Sequence, residues 1–278
     1  MQVSELRQLI KKCNLAHLEE DIISIAKPII LLSAKEEEDY NAKGNSRIGG
    51  LPDLPIDFNW PETQDGKLMT FVGQLNMQDM HQADTAGMLP DTGILYFFMG
   101  LDEPASNIEH KVIYLKDNSH LVLRQPHGIT VAQEDGRAYN PFKIKGTPTF
   151  SLLEDELVSS LELPDLDAIF ALEQQINNGI GTIGAHRTFE EEAAVFYKIM
   201  GERYTQYVAE NEEKLLKHFG TRQAADAVIQ KMKVLAKFNS EDQVGFMWWD
   251  AGCIHFYINE DDLRQLNFDN TYLALTSS

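Results

Sequence analysis

The sequence predicts an α+β fold built from two related units with mainly antiparallel sheet, N-terminal helices and long helices in the second half. Three observations carry this. Short apolar runs of strand length are bounded by Gly and Pro. Other segments repeat apolar residues at helical spacing. And two segments, Pro90–Asp102 and Trp249–Asp261, share one pattern: Asp-x-Gly followed by six strand residues. Asp91/Asp250, Gly93/Gly252, Phe97/Phe256 and Asp102/Asp261 match at a constant offset of 159. A weaker echo pairs Arg47-Ile48-Gly49-Gly50 with Thr182-Ile183-Gly184-Ala185. This reads as a single domain over 1–278. Its internal units cover approximately 28–150 and 165–278, and 1–27 forms an N-terminal helical segment.

Taken in order, Leu6, Leu9, Ile10 and Cys13, then Leu15, Leu18, Ile22 and Ile25, recur at helical spacing. Lys27-Pro28 stops that run, and Ile29–Leu32 reads as a strand. The charged stretch 35–46 is expected to be a mobile loop. Arg47–Pro55 and Asn59-Trp60-Pro61 are dense in Gly and Pro, which forbids a helix and predicts packed turns. Strands are expected at Met69–Leu75, Ile94–Met99, Val112–Leu115 and Leu121–Leu123. A helix is expected over Leu166–Ile176. Phe189, Ala193, Phe196, Met200, Tyr204 and Tyr207 fall on one face of a long helix, and Ala225, Val228, Met232 and Leu235 suggest another. Strands close the chain around Gly245–Trp249, Cys253–Ile258 and Tyr272–Thr276, with a short turn or helix at Asp261–Gln265.

The chain has 278 residues and a net charge of −19, with −7 in residues 1–150 and −12 in 151–278. Both halves repel phosphate, which argues against nucleic acid or an anionic membrane as partner. Two distant cysteines, Cys13 and Cys253, make no disulfide framework and fit a reducing cytosol. Ile22–Leu32 is too short and too interrupted to span a bilayer or act as a leader. The expectation is a soluble cytoplasmic protein.

The chain resembles the YwqG-like family, a set of mostly bacterial proteins of unknown function. The resemblance rests on Ile48–Pro55, Trp60-Pro61, Leu68 through Phe71 to Asn76, Leu89-Pro90, Gly93–Phe98, Trp249–Gly252, Asp262-Leu263 and Asn267-Phe268. It implies a duplicated α+β fold and brings no catalytic mechanism with it. Where that family tends to have Gly-Tyr-Pro followed by Gln, this chain has Gly184-Ala185-His186-Arg187.

No motif for catalysis or a cofactor survives inspection. Gly179, Gly181 and Gly184 satisfy G-x-G-x-x-G, but a helix is expected before them and Glu190-Glu191-Glu192 after them repels phosphate. A helix cap and turn is the better reading. Gly44 and Gly49 have phosphate-loop spacing without the Lys and Ser/Thr that bind phosphate and magnesium. Cys253 and His255 point to one face of a strand, as a nucleophile with its base, half a metal site, or inert packing. His110, His120 and His127 fall in one region, as a metal site or as ordinary surface residues. Asp91 and Asp250 suit either acid–base work or turn capping.

The best surface-site candidate is Arg47 beside Gly49-Gly50, with Trp60 and Gln74. The competing reading buries Trp60 and pairs Arg47 with an acid. One of Trp248 and Trp249, read as strand neighbours, should face outward and could anchor a partner. No metal or cofactor is expected. The function expected is a non-enzymatic binding or protein-interaction module, which could be an immunity-type binder of a basic protein. The rival is an enzyme with an unfamiliar site near Arg47, Asp91 or His255.

Overall fold

The computed structural model describes residues 1–103, 105–153, 155–185 and 190–277. Phe189, His186 and Arg187 lie outside them. Among the described residues, twelve strands are β1 (Lys27–Glu37), β2 (Arg47–Ile48), β3 (Asp53–Pro55), β4 (Thr70–Asn76), β5 (Ile94–Met99), β6 (His110–Leu115), β7 (Leu121–Leu123), β8 (Phe142–Ser151), β9 (Gly181–Ile183), β10 (Met232–Asn239), β11 (Cys253–Asn259) and β12 (Tyr272–Thr276). The α-helices of the same residues number ten: α1 (Val3–Lys12), α2 (Glu19–Ile25), α3 (Met77–His81), α4 (Val131–Glu134), α5 (Asp155–Ser160), α6 (Asp165–Ile176), α7 (Glu190–Val195), α8 (Val208–Phe219), α9 (Arg222–Ile229) and α10 (Glu260–Arg264).

Ten strands form one antiparallel sheet in the order β12-β11-β10-β9-β1-β8-β2-β4-β5-β6, while β3 and β7 pair separately. The edges nearly meet. Ser106, ahead of β6, bridges Ala274 of β12, and Ile108 N donates to Leu273 O at 3.0 Å. The sheet is therefore close to a closed barrel, which leaves little unpaired edge. Its interior holds Leu95, Phe97, Ile183, Phe238, Ile254 and Phe256. Phe97 packs edge-on against Phe238 and Phe256 at 5.4 and 4.9 Å. Outside, α7 to α9 cover β10–β12, the N-terminal helices and α6 cover β8, and Trp60 with β3 covers β4 and β5.

Two hairpins use the same register. In β4–β5, Phe71 pairs with Phe98 and Gly73 with Phe97, leaving Val72 as an extra residue. In β10–β11, Val234 pairs with Tyr257 and Ala236 with Phe256, leaving Leu235 extra. Each is a β-bulge that bends its strand into the barrel wall. On the flanks, Arg47 of β2 pairs with Gln74, and Thr182 of β9 pairs with Lys237.

Several expectations are corrected. The apolar face expected on one helix is broken over its described part, Ala193–Tyr207: α7 runs into a π-turn at Phe196–Met200 that stops at Gly201, whose φ is +66°. Met232 and Leu235 lie on strand β10, not on a helix with Ala225 and Val228. Residues 245–249 form no strand: turns and irregular backbone hold them, with Phe246 in an isolated bridge to Glu241. The expected loop at 35–46 is strand as far as Glu37, because β1 runs on along β8. Gly181–Ile183 is a strand, not a turn after a helix cap. Among the described residues no helix is long and apolar enough to cross a membrane.

Candidate functional site

A cavity of about 310 Å³ opens where the first and second halves meet. Its floor is laid by the start of β1 (Lys27–Ile30), the end of β9 (Ile183) and the following Gly184. The segment 83–88 after α3 makes one wall, and Lys233 with α10 makes the other. The volume lies at the low end of the roughly 300–1,000 Å³ typical of ligand pockets. The floor and walls are largely apolar, through Pro28, Ile30, Met88, Ile183 and Leu263.

Three cations line it: Lys27, Lys233 and Arg264. Lys27 donates to the Ala185 carbonyl and makes no ion pair among the described residues. Burial pushes its ammonium below the usual lysine range, and repulsion from Lys233 adds to this while Glu191 opposes it. The two carboxylates of the lining are already engaged. Asp84 accepts from Met88 N at 3.1 Å and Leu89 N at 2.7 Å, closing its own turn. Glu260 contacts Arg264 and reaches Lys233 at 3.5 Å. Chemically, the cavity can solvate a negative head group over an apolar floor.

A second polar constellation is sealed. Arg47 is fully buried and bonds Asp53, the Asn45 side chain at 2.7 Å and the Leu51 carbonyl at 3.0 Å. Its Nε lies 3.3 Å from Glu38, and its guanidinium stacks on Tyr40 at 4.9 Å. Gln74 accepts from Asp53 N at 2.8 Å and donates to Asn45 O at 2.8 Å, while Tyr96 OH donates to Asp53 O at 2.7 Å. The group straps the segment 38–55 over β4 and β5. Gly50 lets that strap close, because its φ is +65° and a Cβ there would lie 2.2 Å from the Tyr40 hydroxyl.

The residues singled out from sequence are thus spread widely. Arg47, Gln74 and Trp248 are fully buried and Trp60 nearly so, with its Nε1 donating to Met69 O at 2.8 Å. None of the four offers an exposed face. Trp249 is 48% exposed, on a turn rather than a strand, at a φ of +47°. Asp91 is exposed and lies 3.7 Å from His81. Cys253 is half-buried, with Sγ 3.2 Å from Thr276 Oγ1 and 3.9 Å from His255 Nε2. His255 is buried, its Nδ1 has no partner, and burial lowers its pKa to about 3. His110 bonds Ile108 O and Thr271 Oγ1, while His120 and His127 are exposed on loops. Among the described residues no group of three or more His, Cys, Asp or Glu is placed to hold a metal.

Sequence reasoning missed Lys27, Lys233, Glu260 and Arg264. No local spacing links them, because they come from β1, β10 and α10. The one available signal was a cation beside the strand start at Lys27-Pro28 in a strongly acidic chain.

Comparison with protein families finds a match to a domain of unknown function, DUF1963, across residues 46–276. No curated protein matches the chain.

Proposed function

The chain belongs to the DUF1963 family, and on that premise we propose that it is a non-enzymatic binding module holding a small molecule in the cavity at the seam of the barrel. One observation carries this: an apolar-floored cavity of about 310 Å³ whose walls come from both halves, with its carboxylates already engaged by their own neighbours. A carboxylate closing a turn or pinned between two cations is poorly placed to move protons. It is well placed to shape a pocket.

The equal registers of the two bulged hairpins support descent of the two halves from one duplicated unit. They also support the narrower YwqG-like membership. On that view the cavity is a product of the duplication, lying where each half supplies one wall. We read the protein as cytoplasmic and bacterial, in line with its two unpaired cysteines and that resemblance.

Native mass spectrometry of the protein purified gently from its own cells tests the binding reading. A small molecule should leave with the folded chain and be lost in Ala86→Trp, which plugs the mouth from an exposed loop. A chain that carries nothing, with no thermal shift from any metabolite pool, contradicts it.

A second reading concerns a macromolecular partner. Exposed acids such as Glu20, Glu36, Asp91 and Asp269 favour a basic protein over an anionic surface. Capture at low salt that disappears at high salt would support it. Capture unaffected by salt would contradict it.

A further inference from the structure

The geometry points to a small organic anion as the occupant of the cavity between β1, α10 and the loop after α3: a carboxylate or phosphate monoester head on a short apolar body. This rests on the binding reading above and names its ligand class. The chain as a whole is strongly acidic, with a net charge of −19. Yet this lining sets Lys27, Lys233 and Arg264 against Asp84 and Glu260. Asp84 is turned toward backbone N–H groups of its own loop, and Glu260 is shared by two of the cations. Lys27 donates to a carbonyl, is repelled by Lys233 and feels an opposing pull from Glu191, which is not part of the lining. An anionic head between Lys27 and Lys233 relieves their repulsion and gains charge-assisted hydrogen bonds.

The rest of the cavity selects the body. Pro28, Ile30, Met88, Ile183 and Leu263 present hydrocarbon, so a bare inorganic anion would leave that surface in contact with water. A neutral molecule of the same body would leave the cations as they are. Head and body are therefore both required. The long-range negative field of the protein opposes the guest but is screened over about 8–10 Å at ordinary salt, whereas the cations act at contact.

Calorimetric titration of the full chain with hexanoate, hexyl phosphate, inorganic phosphate and 1-hexanol tests this. At least one of the two amphiphilic anions should bind at least tenfold tighter than both hexanol and inorganic phosphate. The tighter of the two identifies the head group. Lys27→Met and Lys233→Gln should each weaken it about tenfold, the loss of one charge-assisted contact, and leave hexanol unchanged. Lys27 also holds the Ala185 carbonyl, so its melting temperature is checked; Lys233→Gln keeps the test open if Lys27→Met fails to fold. Hexanol binding as tightly as hexanoate would overturn the anion while leaving the binding module standing. Failure of every probe would overturn the anion; failure of every probe together with an empty chain in the mass spectrometer would overturn the binding module as well.

Discussion

The hairpins β4–β5 and β10–β11 share register and bulge but differ in what lies on their outer faces. Across the first runs Arg47–Gln74–Tyr96; across the second runs Thr182–Lys237–His255. In the first row every member is tied to the strap 38–55, through Asp53 above all. In the second, Thr182 Oγ1 and His255 Nδ1 are buried without a hydrogen-bond partner; in the first, Arg47 Nε and Asp53 Oδ1 also lack one but lie 3.3 Å from Glu38 and 3.6 Å from Lys43. A barrel frame thus tolerates very different polar rows, provided one is closed by its own loop. The first half uses its polar residues for architecture. The second half, with α10, contributes two of the three cavity cations.

The contrast is broken most severely by Arg47→Met. It strands Asp53 and Glu38 in a buried site, a loss of about 3–5 kcal/mol expected in urea unfolding. A change under about 1 kcal/mol would mean the strap is not held by charge. Gly181→Ala comes next. At that register the first half has Ser46, but in the second a Cβ would lie 2.0 Å from Lys237 O. Overpacking of about 1–3 kcal/mol should follow, read as a lower unfolding midpoint.

The paired variants Tyr96→Phe and His255→Phe sharpen the comparison directly. Tyr96→Phe loses a satisfied bond and should cost about 1 kcal/mol. His255→Phe removes an unpartnered nitrogen and should be neutral or stabilising. It should also blunt acid sensitivity. The buried ring of His255 is lowered from 6.5 to about 3, and that of His110 to about 4. Folding therefore favours neutral rings. That stability is full above about pH 6.5 and is lost as the pH falls toward about 4 and then about 3, because the unfolded chain takes up the protons first. Melting curves between pH 7 and 4 should fall less steeply in His255→Phe. At the small end, Trp249→Ser on its exposed turn should change stability by no more than about 0.5 kcal/mol.

Some of this was legible in the residues. The mixed helix-and-strand class and antiparallel pairing follow from Gly- and Pro-bounded apolar runs, and both Asp-x-Gly segments lead into strands, β5 and β11. The errors have physical causes. The bulge between Val234 and Ala236 breaks the two-residue alternation of β10, so Met232 and Leu235 acquire a helix-like spacing. Tyr204 kept its period with Phe196 by folding back after Gly201, the rings meeting at 5.2 Å. Arg47 could be read as exposed or paired, and only the strap decided it. The cavity was illegible because its cations lie on three elements that only the closed sheet brings together.

The most direct test of the account is a crystal structure of the protein soaked with hexyl phosphate or hexanoate, whichever binds tighter. The acid head is expected between Lys27 and Lys233 and the hexyl chain over Ile30, Ile183 and Leu263. An empty cavity at saturating ligand, or the chain bound elsewhere with its head away from both lysines, would contradict it.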